Sequence, residues 1–187
     1  MAVINQPNFF PASREITRYL PNVLIISNTQ LILTGLVWLY PIFIKKYVEN
    51  PTFCMEVVSY LGVSGTPITT IGIYEGVDIF SSGRLLFSTD FSLTSSGVKK
   101  NPSTLKLRPG WYTMASVIKV TQSGGTVSYR SVQQNLSNPL FGIAPNAVFF
   151  NTLYGAFGLN ADPLPANLSG QTIIKQPGAG ILACLEY

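Results

Sequence analysis

Histidine is absent from the chain, and only 8 of its 187 residues are aspartate or glutamate. Histidine is the commonest general base and the commonest metal ligand, so its absence argues against most hydrolytic and metal-dependent chemistry. Glu75 and Asp78 lie close together, but they flank a glycine in a predicted turn, and a calcium loop needs more oxygen ligands. The sequence has no phosphate loop and no nucleophile elbow. It therefore predicts a protein that is not an enzyme and uses no cofactor.

Charge is also scarce. Charged residues make up 11% of the chain, against about 25% in an ordinary soluble domain, whereas hydrophobic residues reach 47%. The 12 basic residues are scattered, and only Lys45–Lys46 and Lys99–Lys100 are adjacent. A nucleic-acid site needs a stripe of basic residues, so we expect no nucleic-acid partner. The apolar composition instead predicts a permanent protein partner, and an obligate oligomer.

No hydrophobic run is long enough to predict a membrane span. The most apolar stretch, residues 23–44, is interrupted by polar residues, and its longest run, residues 31–44, has 14 residues. A spanning helix needs about 20 apolar residues. Because β-branched and aromatic residues dominate this stretch, it predicts two buried strands and no membrane partner.

Cysteine occurs only twice, at Cys54 and Cys184. Both lie in apolar, strand-like segments, where a free cysteine behaves as a small hydrophobic residue. Two cysteines do not make a disulfide framework. We expect both to be buried and reduced, unless their strands turn out to be neighbours, in which case they could pair.

Short strands with turns between them account for most of the chain after residue 30. Alternation with a period of two predicts strands near residues 53–61, 70–74 and 84–93. Two longer strands, 111–120 and 126–132, flank Ser123-Gly124-Gly125, which is a hairpin signal. Pro109–Gly110 fits the centre of a type II turn, and a last strand is predicted at 180–187. This rhythm is typical of an antiparallel β-sandwich or barrel.

Two regions depart from the strand rhythm. Residues 1–30 predict an extended N-terminal arm that lies on a neighbouring molecule and contains one short helix, Ser13–Leu20, whereas residues 31–187 predict the β-sandwich domain. Partner binding by the arm is assigned to its large apolar residues: Phe9, Phe10, Ile16, Tyr19 and Leu20. Residues 133–176 read as a long irregular stretch that either covers its own core or contacts a partner. Its candidate interface residues are aromatic: Phe149, Phe150, Tyr154 and Phe157.

Six motifs follow one another between residues 30 and 132. They are LYPIFI at 39–44, FCMEVV at 53–58, IGIYE at 71–75, GRLL at 83–86, SGVK at 96–99 and LKLRPGWY at 105–112. In order and spacing the series resembles a module of tailed-bacteriophage structural proteins, which reads LYAxPFxV, IxxIxxxV, LGIY, PGxLL, TGVK and LxPGxYW. This chain departs from it in lacking a proline before Gly83 and in the aromatic order Trp111–Tyr112.

The resemblance implies a jelly-roll-like β-sandwich that assembles as a homotrimer on the outside of a phage particle. In this module a hairpin is built around Pro109, Gly110, Trp111 and Tyr112. The chain has no repetitive shaft, which favours a capsid decoration or cement protein that binds neighbouring copies of the major capsid protein. The alternative is a tail-fibre or tail-tip protein that binds a glycan on the host surface.

Overall fold

A computed structural model shows that the chain is built from antiparallel β-sheets. It describes residues 18–19, 26–29, 36–61, 65–76, 83–119, 126–133, 154–157, 164–169, 173–175, 179–181 and 183–187. Most of these residues lie in strands, and they contain no helix. The all-β prediction is therefore confirmed.

A six-stranded sheet has the strand order β13-β12-β3-β10-β6-β7, and every neighbouring pair in it is antiparallel. Residues 23–44 were predicted to hold two buried strands, and β3 is one of them, with five buried side chains: Val37, Trp38, Leu39, Ile42 and Ile44. The six strands are β3 (Leu36–Ile44), β6 (Ile68–Glu75), β7 (Leu85–Ser92), β10 (Gly110–Lys119), β12 (Tyr154–Phe157) and β13 (Ile173–Lys175).

A seven-stranded sheet has the order β1-β15-β5-β11-β14, with β2 paired to β11 and β8 paired to β5. Its strands are β1 (Arg18–Tyr19), β2 (Ile26–Thr29), β5 (Thr52–Leu61), β8 (Gly97–Pro102), β11 (Thr126–Gln133), β14 (Ala179–Ile181) and β15 (Ala183–Glu186). A separate two-stranded sheet joins β4 (Val48–Glu49) to β9 (Lys106–Leu107).

Side chains from both large sheets meet in one hydrophobic cluster, which we call the main core. Alternate residues of β3, β5, β6 and β10 point into it, as the period of two predicts. The six-stranded sheet contributes Trp38, Ile42, Ile44, Ile71, Ile73, Phe91, Met114 and Ile118. The seven-stranded sheet contributes Phe53, Met55, Val57, Val127, Tyr129, Ile181, Ala183 and Leu185. Each large side chain buried in this way stabilises the fold by roughly 1.5–3 kcal/mol.

The other face of the six-stranded sheet is covered by residues 164–169, which we call the covering segment. Leu164 and Leu168 are buried there against a second cluster that includes Val37, Leu39 and Tyr74. The backbone fixes the segment as well, because Leu85 N donates to Ala166 O at 2.9 Å and Leu168 N donates to Gly83 O at 2.9 Å. The Tyr74 hydroxyl donates to Pro165 O at 2.8 Å. This part of the 133–176 stretch thus covers the protein's own core.

Gly72 leaves the space that the covering segment fills. A Cβ atom at this position would lie 2.6 Å from Leu164 Cδ1 and 3.2 Å from Phe87 O. We expect Gly72→Ala to lower the free energy of unfolding by about 1–3 kcal/mol through overpacking. The same substitution in a Leu164→Ala background should have a smaller effect, because the closest clash is gone. Urea unfolding of the four proteins checks this, and equal effects in both backgrounds would contradict the contact.

The final strands of the chain pair with two different partners. β14 lies along residues 131–133 of β11, whereas β15 lies along residues 52–55 of β5. β5 and β11 pair directly with each other at the other end of both strands, from Thr126↔Leu61 to Tyr129↔Val57, with a register shift at Ser128/Tyr129. The single strand predicted at 180–187 is therefore two short ones.

Three local predictions are wrong. Arg18 and Tyr19, which were placed in the helix Ser13–Leu20, form strand β1 opposite β15; the rest of that helix lies outside the described residues. β10 and β11 do not form a hairpin, because β10 pairs with β3 and β6 whereas β11 pairs with β2, β5 and β14. Nor does Pro109–Gly110 join a hairpin, because β9 pairs with β4. A turn signal is local, and it does not specify which strand a neighbour pairs with.

Burial of Tyr129 makes the fold sensitive to alkaline pH. The side chain is 1% exposed, and its burial raises the pKa of its phenol from 10.0 to about 12. The protonated phenol is favoured in the fold, so this stability is fully present below pH 10 and is lost as pH rises towards about 12. One pKa unit corresponds to about 1.4 kcal/mol, which gives about 3 kcal/mol in all. We expect Tyr129→Phe to unfold at a higher pH than the wild type; the pH midpoint of unfolding by circular dichroism checks this, and an unchanged midpoint would contradict it.

Candidate functional site

Phe43 and Trp111 form an aromatic pair at one end of the six-stranded sheet. They are register partners on β3 and β10, and their ring centroids are 5.0 Å apart. Phe43 is 39% exposed and Trp111 is half-buried. Val37 and Leu39 of β3 point away from the main core, and Phe43 continues the same alternation along the strand. The aromatic pair therefore lies on the same face as the covering segment. An exposed aromatic pair of this kind is suited to contact a partner side chain or a sugar ring.

A polar network lies beside the small sheet formed by β4 and β9. The Tyr47 hydroxyl donates to Glu49 Oε1 at 2.7 Å, and Lys106 Nζ lies 3.4 Å from the same oxygen. The hydrogen bond to Glu49 raises the pKa of Tyr47, and the bond from Tyr47 and the charge of Lys106 lower the pKa of Glu49. These groups are exposed and mutually satisfied, which is typical of a solvated surface rather than a reactive centre.

The four predicted hairpin residues lie where β9 gives way to β10. Pro109 is in the bend between these strands, and Gly110 has a φ of 153° and is the first residue of β10. The Tyr112 hydroxyl donates to Arg108 O at 2.9 Å across this bend. The segment therefore positions Trp111 opposite Phe43, although it does not form a hairpin.

Two thiols and a carboxylate come together on the seven-stranded sheet. Cys54 is opposite Cys184 in the pairing of β5 with β15, and their sulfur atoms and a carboxylate oxygen of Glu186 all lie within 4.8 Å of one another. Lys100 Nζ lies 2.6 Å from Glu186 Oε2. The flanking residues Phe53 and Leu185 point into the main core, so this cluster lies on the opposite face. Among the described residues, it is the arrangement with the chemistry to hold a metal ion.

The structure describes only some of the residues that were predicted from the sequence to form binding sites. Tyr19 lies in β1 opposite Leu185, so its backbone pairs within its own chain. Tyr154 and Phe157 are the ends of β12, an internal strand rather than part of an exposed loop. The remaining residues of the predicted arm and loop sites lie outside the described part: Phe9, Phe10, Ile16, Leu20, Phe149 and Phe150.

Glu75 is exposed at the end of β6, where its carboxylate lies 3.5 Å from the Arg84 guanidinium; its predicted companion Asp78 is outside the described residues. The described part of the chain contains no helix that could span a membrane.

Sequence reasoning missed Phe43 as a surface residue and Glu186 as a buried one. Phe43 has no polar residue directly beside it in the sequence, but the alternation Ile42-Phe43-Ile44 carries the signal, since both isoleucines point into the core. Glu186 is 8% exposed, and only the pairing of β15 with its neighbours reveals this.

Comparison of the chain with protein families and with curated proteins finds no match.

Proposed function

We propose that this chain is a non-enzymatic structural protein of a phage particle, and that it decorates the capsid as a trimer. The observation that carries the proposal is the position of the six motifs on the strands. They lie on β3, β5 and β6, at the starts of β7 and β8, and across β9 and β10. Two antiparallel sheets that share one core support the jelly-roll-like sandwich that the resemblance implies.

The composition supports a role in assembly. A chain with 11% charged residues and no histidine is poorly equipped for acid–base chemistry and well suited to a permanent interface. The exposed Phe43–Trp111 pair supplies apolar surface of the kind found at the centre of interfaces. A trimer fits the local three-fold positions of an icosahedral shell, where its partners would be the major capsid protein.

The proposed arm is shorter than the residues 1–30 predicted from the sequence. Because Tyr19 and residues 26–29 pair with β15 and β11 of the same chain, only the residues before β1 are proposed to reach a neighbour. Among these, Phe9, Phe10 and Ile16 are the proposed anchors.

The test of the function is attachment to capsid shells that lack this protein. The full-length protein should sediment with such shells and elute as a trimer in light-scattering chromatography. A variant without residues 1–17, which keeps β1, should remain a folded trimer but lose attachment. A full-length protein that does not attach would contradict the decoration role, and a truncated variant that attaches as well as the wild type would contradict the arm.

A second candidate is a tail-tip protein that binds a host glycan, and the exposed Phe43–Trp111 pair is the observation that favours it, because aromatic faces stack on sugar rings. Trp111→Ala should then abolish binding on a glycan array, whereas the decoration role predicts no glycan binding by the wild type.

A further inference from the structure

Cys54 and Cys184 are held opposite each other by the sheet, although 130 positions separate them in the chain (184 − 54 = 130). Opposed residues of an antiparallel pair have Cα atoms about 4.5–5.5 Å apart, which falls inside the range of roughly 4.4–6.8 Å that a disulfide needs. Their sulfur atoms already lie within 4.8 Å of each other, and both residues are in the reduced thiol form. The backbone therefore brings the two thiols to a bonding position.

The two thiols differ in their access to solvent. Cys54 is 2% exposed and its thiol donates to Thr52 O at 3.6 Å, whereas Cys184 is half-buried. The hydrogen bond with Cys184, together with burial, raises the pKa of the Cys54 thiol. Cys184 is consequently the thiol that a reagent in solution reaches first.

A metal ion is the competing occupant of this cluster. It would keep both thiols in the charged, deprotonated form, which burial opposes at Cys54, whereas disulfide formation needs that form only transiently. It would also compete with Lys100 for Glu186, whose Oε2 lies 2.6 Å from the Lys100 ammonium. A disulfide is neutral, and it leaves the Lys100–Glu186 pair intact. The surroundings thus favour covalent pairing of the thiols over coordination.

We infer that Cys54 and Cys184 are a cross-strand disulfide site that is closed by a small-molecule disulfide. The Cys184 thiolate attacks one sulfur of R–S–S–R, which forms a mixed disulfide at Cys184 and releases one R–SH after protonation. The Cys54 thiol then loses its proton and attacks Cys184 Sγ, which forms the Cys54–Cys184 bond and releases the second R–SH. Two electrons pass from the two thiols to R–S–S–R, so the step is balanced.

Closure ties β15 to β5 covalently. Since the bond closes a long loop, the oxidised protein should be markedly more stable than the reduced one. The bond itself does not depend on the proposed function. The time at which the bond forms does depend on the proposed function, because a decoration protein would be reduced in the cytosol during assembly and oxidised after release of the particle.

The experiment uses the purified full-length protein and oxidised glutathione. We expect both free thiols to disappear, with the Cys54 and Cys184 peptides cross-linked in a non-reduced digest and no stable glutathione adduct. The melting temperature should rise by about 5–15 °C relative to the reduced protein. Cys54→Ala should instead keep a glutathione adduct on Cys184, because no second thiol displaces it.

Three outcomes of the oxidation experiment would overturn the inference: stable adducts on both cysteines of the wild type, two thiols that stay reduced after prolonged oxidation, or a cross-linked protein no more stable than the reduced one. Zinc titration of the reduced protein tests the metal alternative, and stoichiometric binding that blocks oxidation and is lost in Cys184→Ala would also overturn it. Melting of reduced Cys54→Ala and Cys184→Ala confirms that both variants fold. Because no shell or particle is involved, failure here is distinct from failure of the decoration role.

Discussion

Replacing Phe53 with alanine is expected to lower the free energy of unfolding by about 3–5 kcal/mol. Phe53 is fully buried on β5, and its ring centroid lies 5.2 Å from that of Phe87 on β7 of the other large sheet. The substitution therefore removes a contact between the sheets and leaves a cavity that the surrounding strands cannot readily fill. Urea unfolding followed by tryptophan fluorescence measures the change.

Phe43→Ala is the matched control, because it removes the same atoms from a side chain that is 39% exposed. It should lower stability by only about 1 kcal/mol, mostly through the lost ring contact with Trp111. If both substitutions had the same effect on unfolding, the main core would not join the two sheets in the way described. Phe43→Ala also tests the proposed interface, since it should weaken attachment to shells while the protein stays folded.

Replacing Lys100 with methionine should lower the free energy of unfolding by about 1.5–3 kcal/mol. Its ammonium lies 2.6 Å from the Glu186 carboxylate, whose side chain is 10% exposed. Methionine keeps much of the packing but removes the ammonium that lies beside that carboxylate. The Lys100 side chain is itself 49% exposed, which is why the expected loss is below that of a fully buried pair. Unfolding should be measured under reducing conditions so that both thiols stay free.

Lys106→Met supplies the control for this prediction. Lys106 also pairs with a glutamate, Glu49, but both side chains are about half exposed or more, so its loss should hardly change stability. The double variant Lys100→Met/Glu186→Gln should recover much of the loss caused by Lys100→Met, because no carboxylate remains to be compensated. A loss no larger than that of Lys106→Met would show that Glu186 does not depend on Lys100.

The strands themselves were largely predictable, because alternation is a local property of the sequence. Phe53, Met55 and Val57 point into the main core as their spacing indicates, and β6, β7 and β10 lie close to their predicted bounds. Which strands pair with each other was not predictable from local alternation. The Gly124–Gly125 signal indicated a return of the chain after β10, but whether the next strand joins the same sheet depends on side chains distant in sequence.

The candidate sites show the same contrast between local features, which were predictable, and long-range pairing, which was not. The sequence left open whether Cys54 and Cys184 could pair, since only the register of β5 with β15 brings them opposite each other. The stretch 133–176 looked irregular because its described strands, β12 and β13, have only four and three residues, yet Leu164 and Leu168 are buried on the face that Gly72 leaves open. Aromatic residues alone did not distinguish core from interface: Tyr154 and Phe157 lie in a strand, whereas Phe43 is exposed.

The central claim is that this chain decorates a phage capsid, and its copy number in purified particles tests this most directly. Quantitative mass spectrometry should compare peptides of this protein with peptides of the major capsid protein from the same particles. The decoration role predicts a near-stoichiometric ratio. A count of only a few trimers per particle would contradict it and would make the tail-tip role the leading explanation.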